Sequence, residues 1–213
     1  EQSGTTANDN VAIGYYALQA NATGSNNTAI GQYALQANTN TTGNTGIGYN
    51  AGKNLTTGPE NTIVGTTAGD AITTGGYNSI FGFDSGTAVS TGASNCLLGV
   101  NAGKAITTGS QNICIGHNAA NGDITTASNN IIIGYDTEPS STVSNEITLG
   151  NTNITKFRVP GLNFSIKDST ATDNYVLTVD SNGDAGWEAA AGGVSSDSQY
   201  NTVGGTSAGD SIT

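Results

Sequence analysis

Methionine is absent from this 213-residue sequence, and tryptophan and histidine occur once each. Aromatic residues make up 6% of the chain and charged residues 10%. Because large apolar and aromatic side chains fill the core of an ordinary globular enzyme, this composition argues against an enzyme. Disorder is also disfavoured, since disordered chains are rich in charge and lack regularly spaced β-branched residues. A chain that begins with Glu1 and has no methionine is expected to be a fragment or a processed product.

Basic residues are scarce as well. The chain has 5 Lys and Arg residues against 16 Asp and Glu residues, which gives a net charge of −11. Nucleic-acid surfaces need clustered Lys and Arg, so no nucleic-acid partner is expected. Anionic membrane surfaces are disfavoured for the same reason. No apolar run approaches the roughly 18–20 residues that span a bilayer, so no membrane insertion is expected.

The abundant feature is a short motif, Asn-x-x-apolar-Gly, that recurs through residues 1–150. We call its last residue the motif glycine and count positions from it. The intervals are 17 residues six times, then 18, then 16. A fixed period of this kind predicts a solenoid of stacked coils. The motif glycines are Gly14, Gly31, Gly48, Gly65, Gly82, Gly99, Gly116, Gly134 and Gly150.

The residue directly before the motif glycine, which we call the −1 row, is large and apolar in all nine coils. The −3 row is mostly β-branched, and residues two apart on a strand share a face. We therefore predict that these two rows face the interior and that the −1 row is the coil core. The −1 row is Ile13, Ile30, Ile47, Val64, Phe81, Leu98, Ile115, Ile133 and Leu149.

The −2 row would then face outward, and five consecutive members of it are apolar. A strand that is apolar on both faces is buried on both faces, so the outer face is expected to be covered by identical chains. On this assignment Ile80→Asp or Leu97→Asp would dissociate the assembly, because the new charge would be desolvated. The predicted oligomer interface is Ile63, Ile80, Leu97, Cys114 and Ile132.

Other positions complete the predicted coil. The −4 row is asparagine from Asn10 to Asn130, and these side chains are expected to hydrogen-bond up the stack or to serve as turn residues. A second short strand after the motif glycine is expected to supply one inward apolar residue, such as Ile72 or Ile106, in each coil. Each coil is thus predicted to contain two short strands and two turns, and nine coils would stack to roughly 40 Å.

After Gly150 the pattern changes. Residues 151–195 are predicted to form a small β subdomain with a strand at 162–166 and a hairpin over 175–188, because Asp180-Ser181-Asn182-Gly183 is a strong turn signal. A flexible link over 189–196 is expected to follow. Residues 196–213 repeat the pattern that starts at Asn61 and end within a coil, so the natural polypeptide is expected to continue beyond Thr213.

Three segments carry a family resemblance: Asn-Thr-Ala-Ile-Gly (27–31), Gly-Ile-Gly-Tyr-Asn-Ala-Gly (46–52) and Asn-Ile-Cys-Ile-Gly-His-Asn-Ala (112–119). They resemble the head repeats of trimeric autotransporter adhesins, which are parallel β-rolls built from three chains. The longer repeat with Thr-Thr-Gly is similar to repeats of phage tail fibres, which often precede an endosialidase-type chaperone domain. The resemblance implies an all-β, homotrimeric fibre on a virion or an extracellular surface, with a cell-surface glycan or protein as receptor. A bacterial surface adhesin is the alternative owner.

Candidate chemical groups are few. His117 lies in a variable position after a motif glycine, which favours a surface or interface role over a ligand role. Asp70, Asp84, Asp123 and Asp136 fall in turns, but the calcium-binding β-roll nonapeptide is absent, so solvated carboxylates are favoured. Cys96 and Cys114 occupy different rows, so free thiols are expected rather than a disulfide.

We therefore predict no catalytic residue, no metal site and no cofactor. Two other functions remain open at this point. One is a glycan depolymerase with a site between subunits, for which Asp70 and Asp84 are the carboxylates to mutate. The other is an ice-binding solenoid that uses the Thr-Thr pairs, such as Thr73 and Thr74, although adjacent threonines point in opposite directions on a strand.

Overall fold

A computed structural model describes residues 7–122, 124–140 and 143–157, together with the strands at 175–179, 185–189, 195–196 and 202–203. The chain divides into two compact units, 1–157 and 158–213. The Asp123 carboxylate, the predicted strand at 162–166 and most of the predicted repeat at 196–213 lie outside the described residues.

The first unit is a β-solenoid built on one nine-stranded sheet, in which each strand pairs in parallel with the next strand along the chain. Every strand is the three-residue segment directly before a motif glycine, and the pairing places equivalent residues opposite each other, for example Ile80 and Leu97. The predicted all-β solenoid of about 17-residue coils is therefore confirmed. The strands are β1 Val11–Ile13, β2 Thr28–Ile30, β3 Thr45–Ile47, β4 Thr62–Val64, β5 Ser79–Phe81, β6 Cys96–Leu98, β7 Ile113–Ile115, β8 Ile131–Ile133 and β9 Ile147–Leu149.

The predicted second strand of each coil is wrong, because that side of the solenoid is built from turns. In the coil that follows Gly65, Thr67 and Gly69 both have positive φ, at 55° and 53°. The N–H of Ile72 donates to the Gly69 carbonyl, whereas the N–H of Gly69 donates to the next coil, at Ser85. Left-handed residues interrupt the extended backbone that a strand needs, so this side alternates between local turns and contacts to the next coil.

The assignment of the two strand faces is also wrong. The −2 row, predicted to face outward, lies inside the coil, and Ile63, Ile80, Leu97, Cys114 and Ile132 have no exposed surface. The −1 row, predicted to be the core, lies on the outside and is partly or largely exposed, from Ile13 to Leu149.

The narrow interior explains the reversal. A Cβ atom added to Gly69 would lie 2.9 Å from Ile72 Cδ1 and 3.2 Å from Ile80 Cδ1, so the space across one coil is already full. Such a coil accommodates one large side chain from the strand and one from the opposite wall. A three-residue strand places one side chain on one face and two on the other, and only the single side chain fits inside.

The predicted inward residues of the opposite wall are confirmed. They have no exposed surface, and they stack on the −2 row. These residues are Leu55, Ile72, Val89, Ile106 and Ile124.

The first coils fill the same interior differently. Leu35 occupies the turn position where later coils have Gly69 or Gly86, and it is fully buried. The strand residue next to it is Gly46, and a Cβ atom there would lie 2.7 Å from Leu35 Cγ. The large side chain has therefore moved from the strand to the turn, which keeps the volume of the core.

The −4 asparagines form a hydrogen-bonded ladder, as predicted. From Asn27 to Asn130, the backbone N–H of each asparagine donates to Oδ1 of the asparagine one coil earlier, at 2.8–3.1 Å. The Nδ2 of Asn78 also donates to the Gly92 carbonyl at 3.0 Å. The left-handed backbone lies one residue earlier, for example at Asn26 and Tyr77, so the ladder residues are not themselves the left-handed turn residues.

The second unit contains the predicted hairpin. Strand β10 (Tyr175–Val179) pairs antiparallel with β11 (Ala185–Ala189), which confirms it. Within 189–196, where a flexible link is predicted, Ser195–Ser196 forms β12, which pairs antiparallel with β13 (Thr202–Val203). A resumed coil would have paired Thr202–Val203 in parallel.

Candidate interaction faces

One extended surface of the solenoid is the outer side of the nine-stranded sheet, formed by the −1 and −3 rows. We call it the outer face. Ile13, Phe81, Leu98, Ile133 and Leu149 are all exposed on it. No strand from β1 to β9 contains a charged residue, so the outer face is apolar and hydroxylated from end to end.

The predicted interface residues do not belong to this face. Because Ile80 and Leu97 are enclosed by their own chain, a charge there would disrupt the coil itself rather than an assembly. The sequence contains a signal for the correct assignment. Where the turn residue is large, as Leu35 is, the neighbouring −2 residue is Gly46. Where the turn residue is Gly69, the neighbouring −2 residue is the large Ile80. The turn and the −2 row therefore fill the same space.

The residues two positions after each motif glycine, which we call the +2 row, lie at one corner of the solenoid and form a polar ladder there. The Thr67 hydroxyl donates to the Asp84 carboxylate, and Lys104 Nζ lies 3.1 Å from Asp84 Oδ2. Asn101 donates to Asn118 at 2.9 Å in the next coils. The Thr67 hydrogen bond and the Lys104 charge lower the pKa of Asp84.

The predicted carboxylates have different environments. Burial, followed by the charge of Asp84, raises the pKa of Asp70. Asp136 accepts a hydrogen bond from Asn118 at 2.6 Å on an exposed corner. The described residues contain no group of three or more His, Cys, Asp or Glu side chains that could hold a metal ion.

The other residues singled out from the sequence are His117, Cys96 and Cys114, and their surroundings fit structural roles. His117 stacks on Tyr135 with ring centroids 5.4 Å apart, and its Nδ1 is 4.0 Å from Asp136, on the surface. Cys96 and Cys114 are free thiols on opposite sides of the sheet, which confirms that prediction. Burial and the nearby Cys96 raise the pKa of Cys114 to about 12.

The threonine pairs face two environments. The hydroxyl of Thr73 donates to the Ser90 carbonyl of the next coil at 3.2 Å, and Thr56 and Thr107 make the same contact in their coils. The second threonine of each pair, such as Thr74, is exposed. The first threonine of three of the four pairs therefore has its hydroxyl engaged within the chain.

A shallow groove of about 440 Å³ lies at the last coil. It is lined by Asp136, Glu138, Thr148, Gly150, Asn151 and Thr152. The residues that line it come from turns and the end of β9, so it is a notch in the side of the solenoid and not an enclosed site.

No family model, curated protein or solved structure matches this chain. The family resemblance therefore depends on the sequence motifs alone. In the part of the chain that the structure describes, no helix is long and apolar enough to cross a membrane.

Proposed function

We propose that this chain is a structural segment of a surface fibre, such as a virion tail fibre or an extracellular adhesin, that mediates attachment as a stiff homotrimeric shaft. The observation that supports it is the outer face. Nine parallel strands present a surface without a charged residue, and several of its large apolar side chains, such as Leu98, are exposed in the part of the chain that the structure describes. A soluble protein normally covers a continuous apolar face of this kind.

The size of the outer face is consistent with association along its whole length. Nine strands spaced about 4.8 Å apart, each about 10 Å long, give a flat area of roughly 400 Å² per copy. Burial of this area would supply at most about 10 kcal/mol of apolar transfer free energy, because Thr and Ser form part of the −3 row. Association costs on the order of 4–15 kcal/mol in lost freedom, so a few coils would not be sufficient and a long array is needed. A second copy of the chain has a face with the same period, so identical chains are the partner that fits best. The proposal of three chains comes from the family resemblance.

A shaft predicts that length and coil number are coupled. Duplication of residues 32–150 adds seven coils in register, which we expect to lengthen the particle by roughly 34 Å at unchanged cross-section. Small-angle X-ray scattering measures both quantities. A particle that becomes wider or more compact, with no gain in length, would refute the shaft.

The alternative of a glycan depolymerase has one specific observation behind it. The pKa of Asp70 is raised while that of Asp84 is lowered, as an acid and a base require. Asp84 also belongs to the polar corner, where Lys104 and Thr67 hold it. Loss of a measured glycan-cleaving activity in Asp70→Asn and Asp84→Asn would favour the enzyme, and ice binding would show as thermal hysteresis.

A further inference from the structure

Four tyrosines lie together at one corner of the first three coils. We call Tyr15, Tyr16, Tyr33 and Tyr49 the tyrosine cluster. The ring centroids are 3.9 Å apart for Tyr15 and Tyr16, 5.8 Å for Tyr15 and Tyr33 and for Tyr16 and Tyr33, and 6.3 Å for Tyr33 and Tyr49. Tyr15, Tyr16 and Tyr49 are 58%, 41% and 46% exposed. The cluster is thus a continuous aromatic surface that is open to solvent.

The backbone of this cluster is strained. Tyr16 and Tyr33 belong to the +2 row and have φ values of 60° and 61°. In most later coils the same position holds Asn or Asp, for example Asn50 and Asn101, which adopt this left-handed conformation at lower cost than other side chains. Tyrosine at these two positions therefore disfavours the fold relative to asparagine. Residues that break a local rule in this way concentrate at functional sites.

The chemistry around the rings is mixed. Each tyrosine ring has a hydroxyl group at its edge. Lys53 Nζ lies 5.2 Å from the centroid of the Tyr33 ring. Flat apolar ring faces with hydroxyl groups at their edges and an ammonium group nearby match a pyranose ring, which has an apolar C–H face and a rim of hydroxyl groups.

Charge distinguishes a carbohydrate ligand from single-stranded nucleic acid, which also stacks on aromatic rings. Single-stranded nucleic acid needs a basic groove alongside its stacking platform. The chain has a net charge of −11, and Lys53 is the single Lys or Arg among residues 1–100. A neutral or weakly acidic sugar chain does not require such a groove.

We propose that the tyrosine cluster is a carbohydrate-binding site that takes pyranose units of a surface glycan. The inference deepens the proposed attachment function and rests on it for its biological role, because it names the ligand class and the place of contact. In a trimer, three clusters would be held at a fixed spacing, so weak single-site binding would be strengthened by avidity.

The test replaces each strained tyrosine with the residue that later coils use. The probe is a printed array of neutral and sialylated pyranose oligosaccharides, followed by saturation-transfer NMR with the strongest binder. We expect the wild-type protein to bind, and the Tyr16→Asn/Tyr33→Asn double variant to bind at least tenfold more weakly. Because asparagine relieves the left-handed backbone, the melting temperature of the double variant is expected to stay the same or rise.

Tyr77 offers a matched control. It is also a tyrosine at positive φ, 62°, and it is 58% exposed, but the described residues include no aromatic ring in contact with it. Tyr77→Asn is expected to leave glycan binding unchanged.

Three results would overturn the carbohydrate site. The first is that the wild-type protein binds no glycan on the array, and the second is that the double variant binds as well as the wild type. The third is a fall of several degrees in the melting temperature of the double variant, which would make the cluster a structural cap. A change in oligomer mass in the double variant would instead show that the cluster is a contact between copies, which also excludes this proposal. The shaft is tested separately by its length, so the two proposals can fail independently.

Discussion

Leu97 and Leu98 allow a direct test of which strand face is inside. They are consecutive residues of β6 with the same side chain, and they point to opposite sides of the sheet. Leu97 has no exposed surface, and Leu98 is 47% exposed. Removal of a fully buried leucine side chain costs about 3–5 kcal/mol, depending on how far the site can collapse. Cβ atoms added to Gly86 and Gly103 would lie 2.8 Å and 2.6 Å from Leu97 methyl groups, so backbone surrounds this side chain and limits collapse.

We therefore expect Leu97→Ala to lose about 4 kcal/mol, which corresponds to roughly 8–16 °C in melting temperature for a unit of this size. Leu98→Ala removes a side chain that is half exposed in the single chain, and it should cost about 1 kcal/mol there. The assay is thermal unfolding followed by circular dichroism at several protein concentrations. The Leu97→Ala loss should be the same at every concentration, whereas any further loss in Leu98→Ala comes from weakened association, so it should vanish in dilute, monomeric protein and grow as the protein is concentrated. A near-neutral Leu97→Ala together with a large, concentration-independent loss in Leu98→Ala would refute the face assignment.

Two further predictions concern the asparagine ladder and a single carboxyl group. Asn78→Ala leaves the Asn95 N–H and the Gly92 carbonyl without their partner in a buried site. We therefore expect the free energy of unfolding, measured with denaturant, to fall by about 3 kcal/mol or more. A fall of less than about 1 kcal/mol would mean that the ladder contributes little. The raised pKa of Asp70 means that the folded protein binds this proton more tightly than the unfolded chain, so its free energy of unfolding falls as pH rises above the ordinary carboxyl range. Asp70→Asn should therefore raise the melting temperature at pH 7 and change it little near pH 3, where both states are protonated, and an equal shift at both pH values would contradict this cause.

The period of the fold could be read from the sequence because sterics fix it. Each motif glycine, such as Gly82 with φ of 137°, adopts a backbone that L side chains rarely reach, and a Cβ atom there would collide with the Gly99 carbonyl of the next coil. The position must be glycine in every coil, so the sequence shows the coil length directly. The asparagine ladder is visible for a similar reason, since its side chain must both accept from a backbone N–H and donate to a carbonyl, as the Asn78 amide does.

The side of the strand that faces inward could not be read from alternation alone. A period of two shows that Phe81 and Ser79 share a face and that Ile80 lies opposite, but it gives no sign of which face is enclosed. The deciding quantity is the width of the coil, which depends on the turn side. That side was predicted as a strand, although the exchange of volume between Leu35 and Gly46 already indicated a close contact between the turn and the −2 row.

The interaction faces were predicted least well, because they depend on what the fold leaves open. The tyrosine cluster brings Tyr33 against Tyr15, Tyr16 and Tyr49, which lie 16–18 positions away in the chain, and it becomes visible only when the coils are stacked in register. Its sequence signal is the replacement of asparagine by tyrosine at Tyr16 and Tyr33, which stands out only once the +2 row is known to be left-handed.

The mass of the native protein in solution tests the central claim most directly. Sedimentation equilibrium of the purified chain should give three times 21.2 kDa, and Leu98→Asp should reduce that mass while leaving the circular dichroism spectrum of the solenoid unchanged. A wild-type protein that sediments as a stable, soluble 21.2 kDa monomer would show that the outer face needs no partner, and it would contradict the account.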